Sequence, residues 1–116
     1  MSEAIPKIRL LHCIETISSG GVEKMRLTLA QNLNKDKFEL KIICTTAKGS
    51  IKKQLECEGV EIFEVGDFKS VFEFKKYSRV IEIVRKYNPN IIHGAVFEGT
   101  SMATIGGVFA RVPIIV

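Results

Sequence analysis

Tryptophan is absent from this chain of 116 residues, and proline and cysteine occur only three times each. Cys13, Cys44 and Cys57 form no Cys-x-x-Cys pair, so a disulfide scaffold and a zinc-finger spacing are excluded, and the odd number of thiols fits a reducing compartment. Long apolar runs are missing too: none approaches the roughly 20 residues that a membrane-spanning helix needs. Glu3 lies near the N-terminus and Arg9 interrupts the apolar run after Lys7, so no signal peptide is read there. A cytoplasmic protein is expected. Three ligand signatures are lacking as well, because the sequence contains no Gly-x-Gly-x-x-Gly, no Gly-Lys-Ser/Thr and no Asp-x-Asp. A P-loop is thereby excluded, a dinucleotide site is disfavoured, and neither a metal nor a cofactor is expected.

What remains, 46% hydrophobic and 26% charged, is the composition of a soluble globular protein. The length suits one domain, 1–116, with a real core. The net charge of +4 comes from 17 basic and 13 acidic side chains spread along the chain. Without a basic block, nucleic acid is not an expected partner; phosphates, nucleotides or an anionic membrane face are weakly favoured over a merely solvated surface.

Five apolar runs lack a helical period: Lys7–Ile14, Phe38–Thr45, Val60–Val65, Asn90–Val96 and Pro113–Val116. Short, β-branched and apolar on both faces, they predict buried parallel strands. The segments between them predict helices. Val22–Leu33 spaces Val22, Met25, Leu29, Ala30 and Leu33 along one face, leaving Lys24, Arg26, Gln31 and Asn32 on the other. Ser50 is expected to cap Ile51–Glu58, and Gly59 to end it. Val71–Tyr87 places Phe74, Tyr77, Ile81 and Val84 on one face and stops before Pro89. Thr100–Arg111 follows. Its Gly106 and Gly107, each costing up to ~1 kcal/mol relative to Ala in a helix, are expected to be compensated by close packing on the sheet. The alternation makes the fold class α/β, a doubly wound, mostly parallel Rossmann-like sheet of about five strands in a single domain. In such sheets ligands bind beyond the carboxyl ends of the strands where the strand order reverses, here between the first and fourth strands. The loops at that place are Ile14–Gly21 and Val96–Gly99, with the loop starting at Thr45 and the Gly66-Asp67-Phe68 turn nearby.

One junction carries most of the chemistry. Ile17-Ser18-Ser19-Gly20-Gly21-Val22-Glu23-Lys24 joins a strand to a helix, and adjacent glycines without Cβ atoms let a phosphate approach the bare amides of a helix N-terminus. Glu23, in the first turn, complements the helix dipole or faces a ligand. Lys24 and Arg26 extend into solvent or reach an anionic ligand. His93 and His12 fall near the carboxyl ends of their strands, where an imidazole either packs in the core or donates to a ligand oxygen. Glu98 follows the fourth strand and could accept from ligand hydroxyls, while Thr100 or Ser101 caps the last helix. Phe68, Phe72 and Phe74 alternate with Lys69, Lys75, Lys76 and Arg79, a pattern that suits helix packing or a membrane face.

Gly20-Gly21-Val22-Glu23, the following Leu27, Leu29, Ala30 and Leu33, and the strand Phe38–Thr45 resemble the N-terminal domains of family-4-type glycosyltransferases. Pro89-Asn90-Ile91-Ile92-His93 and Arg111-Val112-Pro113-Ile114-Ile115-Val116 are similar to that family's fourth and fifth strand openings. The resemblance implies a GT-B architecture, in which two Rossmann-like domains face each other across a cleft and the N-terminal one supplies the acceptor site. It implies a retaining transfer of a hexose from a nucleotide-diphosphate sugar to a glycan or lipid-linked acceptor, as in polysaccharide biosynthesis, without a metal. Gly20 and Gly21 would then approach the donor diphosphate, and Glu23, Lys24, His93 and Glu98 would lie on the acceptor side, with His93 the one candidate for a catalytic role. A family histidine that contacts the donor sugar follows the fifth strand, past Val116.

By the same resemblance the chain is expected to be partial, its C-terminal donor-binding domain missing, and to be inactive alone. Several relatives act at the cytoplasmic face of the membrane, so peripheral contact there is a further expectation. Pro113–Val116 reads as a buried strand left as an apolar edge, open to self-association. The alternative is a stand-alone Rossmann-like nucleotide- or phosphate-binding or interaction module without catalysis. An oxidoreductase is disfavoured by Thr45 and Thr46, which stand where a dinucleotide fold carries an acid.

Overall fold

A computed structural model describes residues 6–17, 21–67 and 73–116, without the side chains of 21–23 and 96–98. Its elements run β1 (Ile8–Cys13), β2 (Thr16–Ile17), α1 (Gly21–Asn32), β3 (Phe38–Cys44), β4 (Thr46–Ala47), α2 (Ser50–Cys57), β5 (Glu61–Glu64), α3 (Phe74–Tyr87), β6 (Ile91–Gly94), α4 (Val96–Phe109) and β7 (Ile114–Ile115). The main sheet is five-stranded in the order β5-β3-β1-β6-β7, and its pairs are all parallel. This is the expected doubly wound α/β arrangement.

Parallel neighbours need a crossover, and right-handed crossovers put the helices that serve the two directions of travel on opposite faces. The core divides accordingly. Leu27, Ala30, Ile51 and Leu55 of α1 and α2 pack with Leu10, Ile14, Leu40 and Ile42 on one face. Val80, Val84, Met102 and Ala103 of α3 and α4 pack with Leu11, Cys13, Ile43 and Ile92 on the other. Period-two alternation along β1 thus sends Leu10, His12 and Ile14 toward α1 and Leu11 and Cys13 toward α4. Asn90 sets the register of the central pair at its amino end: its Oδ1 accepts the Arg9 amide at 2.8 Å and its own amide donates to the Arg9 carbonyl at 2.9 Å.

The helix ends follow their local chemistry, with corrections. Gly59 takes φ 84°, and the Val60 and Gly59 amides donate to the Leu55 and Glu56 carbonyls at 3.1 and 3.0 Å, a Schellman closure that stops α2 as expected. Ser50 does not cap that helix; it is its first residue, the cap is Gly49, and no side chain bonds the free amides. Thr100 and Ser101 do not cap α4 either. That helix begins four residues earlier than Thr100, at Val96, because Val96 and Phe97 leave the strand and Ala95, extended, forms the cap. Phe74 is 72% exposed rather than on the core face, which Tyr77, Val80, Val84 and Tyr87 make up. The residues 68–72, and with them Phe68, Lys69 and Phe72, lie outside the described residues. Strand β5 is an edge strand with Glu61 and Glu64 exposed, not a doubly buried one. At the other edge, β7 leaves Ile114 49% and Val116 66% exposed.

Glycines let α4 approach its neighbours. A Cβ on Gly107 would come within 2.8 Å of Ile115 and 3.0 Å of Ile92, so this glycine packs on the sheet as expected, whereas Gly106 faces Val80 and Val84 of α3 instead. Gly99 meets unyielding backbone: a Cβ there would strike the Cys13 carbonyl and lie 2.9 Å from the Ile14 Cα. Gly99→Ala is therefore expected to lower unfolding stability by about 3 kcal/mol or more. Gly107→Ala, whose neighbours are side-chain ends, should cost less in the same urea titration.

Candidate functional site

The strand order reverses between β1 and β6. Beyond their carboxyl ends the chain leaves β1 toward α1 and leaves β6 toward α4, opening the crevice where doubly wound sheets bind ligands. Its floor is pinned. The Ala95 amide donates to the Cys13 carbonyl at 2.9 Å, the Ile14 amide to the Ile43 carbonyl at 2.9 Å, and Thr45 donates to the Glu15 carbonyl through its amide at 2.6 Å and its Oγ1 at 2.5 Å. A two-stranded parallel ribbon, β2 with β4, prolongs this end (Thr16 beside Thr46, Ile17 beside Ala47) and directs the chain into the glycine loop. Two-residue strands carry too little pattern to be read from sequence.

His12 and His93 are register partners on β1 and β6, with ring centroids 5.1 Å apart in an edge-to-face arrangement. His12 is 7% exposed, and its Nδ1 has no hydrogen-bond partner among the described residues. His93 is half-buried. Burial above all, then the charge of Arg26 and the neighbouring His93, pulls the His12 pKa down to about 3. Burial and then Arg26 also lower His93. Both rings are neutral at physiological pH, each with one donor and one acceptor nitrogen.

Arg26 corrects the sequence reading. It is not in solvent but 8% exposed, and its Nε lacks a hydrogen-bond partner among the described residues. Burial lowers its pKa, but a guanidinium keeps its proton at neutral pH. The signal was present: Arg26 precedes Leu29, Ala30 and Leu33 by three, four and seven residues, which is the middle of the apolar stripe. Met25, assigned to that stripe, is exposed.

The other expected site residues that are described fall on α1 and α4, the helices that follow the two crevice strands. Gly20 lies outside the described residues, and Gly21 is the first residue of α1. Glu23 falls in the first turn of α1 and Glu98 in the first turn of α4, not in a loop; the side chains of both are outside the described residues. Lys24 is exposed. Cys13 and Cys44 are buried here, and burial raises both thiols, Cys44 to about 12, so neither is a thiolate at neutral pH. Among the described residues no group of three His, Cys, Asp or Glu side chains could hold a metal ion, and no helix is long and apolar enough to cross a membrane. Elsewhere, a cavity of about 380 Å³ at the amino ends of the strands is lined by Arg9, Lys41, Glu61 and Tyr87; there Lys41 pairs with Glu61 at 2.9 Å and lies 4.6 Å from the Tyr87 ring centroid.

No protein-family model and no curated protein sequence matches the chain. Among solved structures, the fold is shared with a glycosyltransferase from Rickettsia africae ESF-5, with a TM-score of 0.74 and 22% identity over 96% of this chain. It is also shared with a Listeria monocytogenes protein provisionally named as a UDP-N-acetylglucosamine 2-epimerase, with a TM-score of 0.61 and 18% identity over 97% of this chain. The chain spans 29% of the first protein and 32% of the second.

A depressed histidine pKa makes the fold acid-sensitive. Between pH 6.5 and about 3 the unfolded chain binds a proton at His12 that the folded chain refuses, so stability is full above 6.5 and declines as pH falls. The loss should reach about 2 kcal/mol by about pH 5, with His93 adding in the same direction. Urea midpoints measured across this range should show the slope in the parent and a flatter one in His12→Gln.

Proposed function

We propose that the chain is the N-terminal, acceptor-side domain of a family-4-type glycosyltransferase of GT-B architecture. Such an enzyme moves a hexose, with retention, from a nucleotide-diphosphate sugar to a glycan or lipid-linked acceptor. The observation that carries this reading is where α1 begins: Gly21 is its first residue, and that helix follows the central strand, which borders the β1–β6 crevice. That is where unpaired helix amides can receive a phosphate. The shared fold with a glycosyltransferase over 96% of the chain supports it.

In this reading Gly20 and Gly21 offer amides to the donor diphosphate, with Glu23, Lys24, His93 and Glu98 on the acceptor side. His93, neutral and half-buried, is suited to hydrogen-bonding a sugar hydroxyl. The donor nucleotide is held mainly by a second domain. The β7 edge is where further strands of a longer protein, or a second copy, would pair. Exposed Phe74, Lys75 and Arg79 on α3 would serve peripheral contact with the inner face of the membrane.

Adding a nucleotide-diphosphate sugar to the isotopically labelled chain should move the backbone amide resonances of Gly20 and Gly21. Amides that stay in place at saturating sugar nucleotide would refute the reading. The 116-residue chain by itself should transfer no labelled sugar to any acceptor, since most of the donor site is elsewhere; turnover by the pure chain would contradict that division of labour.

A further inference from the structure

Two buried polar groups at the β1–β6 crevice lack, among the described residues, the partners that such groups normally have. Arg26 is buried, its Nε is unpartnered, and none of the ion pairs among the described residues includes it. His12 is buried on the same side of β1 that faces α1, and its Nδ1 is unpartnered too. Arg26 belongs to α1, which packs over the face of β1 that carries His12, and the His93 ring lies 5.1 Å from that of His12; the charge of Arg26 acts on both rings. His93, half-buried, leaves that place open to solvent.

Among the described residues no carboxylate pairs with Arg26; a buried guanidinium without a counter-charge costs several kcal/mol, and the neutral imidazoles bring no negative charge. Packing does not ask for it, since position 26 lies within an apolar stripe where Leu or Met would fill the same arc. Helical side chains lean toward the N-terminus, which aims Arg26 back toward the crevice mouth. A neutral ligand hydroxyl would accept a hydrogen bond but leave the charge uncompensated. An oxyanion does both: two of its oxygens can accept from the Arg26 Nε–H and from a His12 Nδ1–H while its charge neutralises the guanidinium.

We infer that Arg26, His12 and His93 form a receptor for one oxyanion group, phosphate or carboxylate, of a ligand that enters between β1 and β6, and that Arg26 supplies its charge. The receptor stands on the unpartnered groups themselves and does not depend on the glycosyltransferase reading.

The chain has only two histidines, so its imidazole Cε1–Hε1 resonances form a two-signal reporter, assigned with His12→Gln and His93→Gln. Inorganic phosphate, glucuronate and uridine diphosphate are titrated separately near neutral pH. Both signals should move saturably with phosphate or with glucuronate. A response to only one of these two identifies the oxyanion class. Arg26→Met should weaken the response at least about tenfold, while melting no lower than the parent in anion-free buffer, because it removes an unpaired buried charge. Should Arg26→Met fail to fold, Arg26→Lys decides: it keeps the charge but loses the fork, so a weakened response supports the receptor and an unaltered one overturns it. Rings unmoved by all three probes at tens of millimolar, or moved equally in Arg26→Met, overturn it as well. If uridine diphosphate shifts the Gly20 and Gly21 amides while neither ring answers any of the three probes, the receptor fails and the donor-loop reading stands. If the rings answer phosphate while those amides ignore uridine diphosphate, the receptor stands and the donor-loop reading fails.

Discussion

A strand that is hydrogen-bonded along both edges and covered by helices on both faces has nowhere to put a side chain that needs water. β1 is such a strand, paired with β3 on one side and β6 on the other. Its alternation commits Leu11 and Cys13 to the α3–α4 layer and Leu10, His12 and Ile14 to the α1–α2 layer. Both cores, the crossover helices and the reversal of strand order are referred to this segment. A histidine is tolerated in it only as the neutral ring, and only near the carboxyl end, where the sheet opens into the crevice. The polar exception in the central strand therefore coincides with the place where the fold permits a ligand.

The second exception lies on α1, the helix that packs over that face of β1. Arg26 occupies the apolar stripe of α1, and its charge helps to keep both imidazoles unprotonated. Two groups that each disfavour the other's charged form are a poor choice for stability alone. They make sense around an anion, which would relieve the guanidinium and offer the rings an acceptor. The fold itself does not specify the chemistry: the two solved structures that share it carry different activity names, at 22% and 18% identity. The discriminating features belong to this chain, the adjacent glycines before α1 and the buried charge within it.

Most of the architecture was legible in the sequence because parallel strands buried on both faces leave uninterrupted apolar runs, and Phe38–Cys44 or Ile91–Gly94 could scarcely be anything else. The misreadings have physical causes. Val96 and Phe97 continue the apolar run of β6, and Ala95 gives no capping signal, so α4 was assigned to begin at Thr100. Ser50 carries a capping side chain, but the helix takes it in as its first residue and Gly49 stands at the cap position. Arg26 was read by its charge as facing solvent or an anionic partner, on the polar side of the helix, although its spacing placed it among Leu29, Ala30 and Leu33. Charge outweighed geometry in that reading, and a cation in an apolar stripe is the kind of conflict expected at a functional site. The reversal of strand order lies between β1 and β6 as the apolar runs predict, but the burial of Arg26 was not foreseen.

The most direct test of a ligand-binding crevice at the β1–β6 reversal is crystallographic. Crystals of the chain soaked in an anomalously scattering oxyanion, tungstate or arsenate, should show an anomalous peak beside Arg26, within reach of the His12 and His93 rings. Peaks confined to exposed lysines, with the crevice empty at full occupancy elsewhere, would contradict the account.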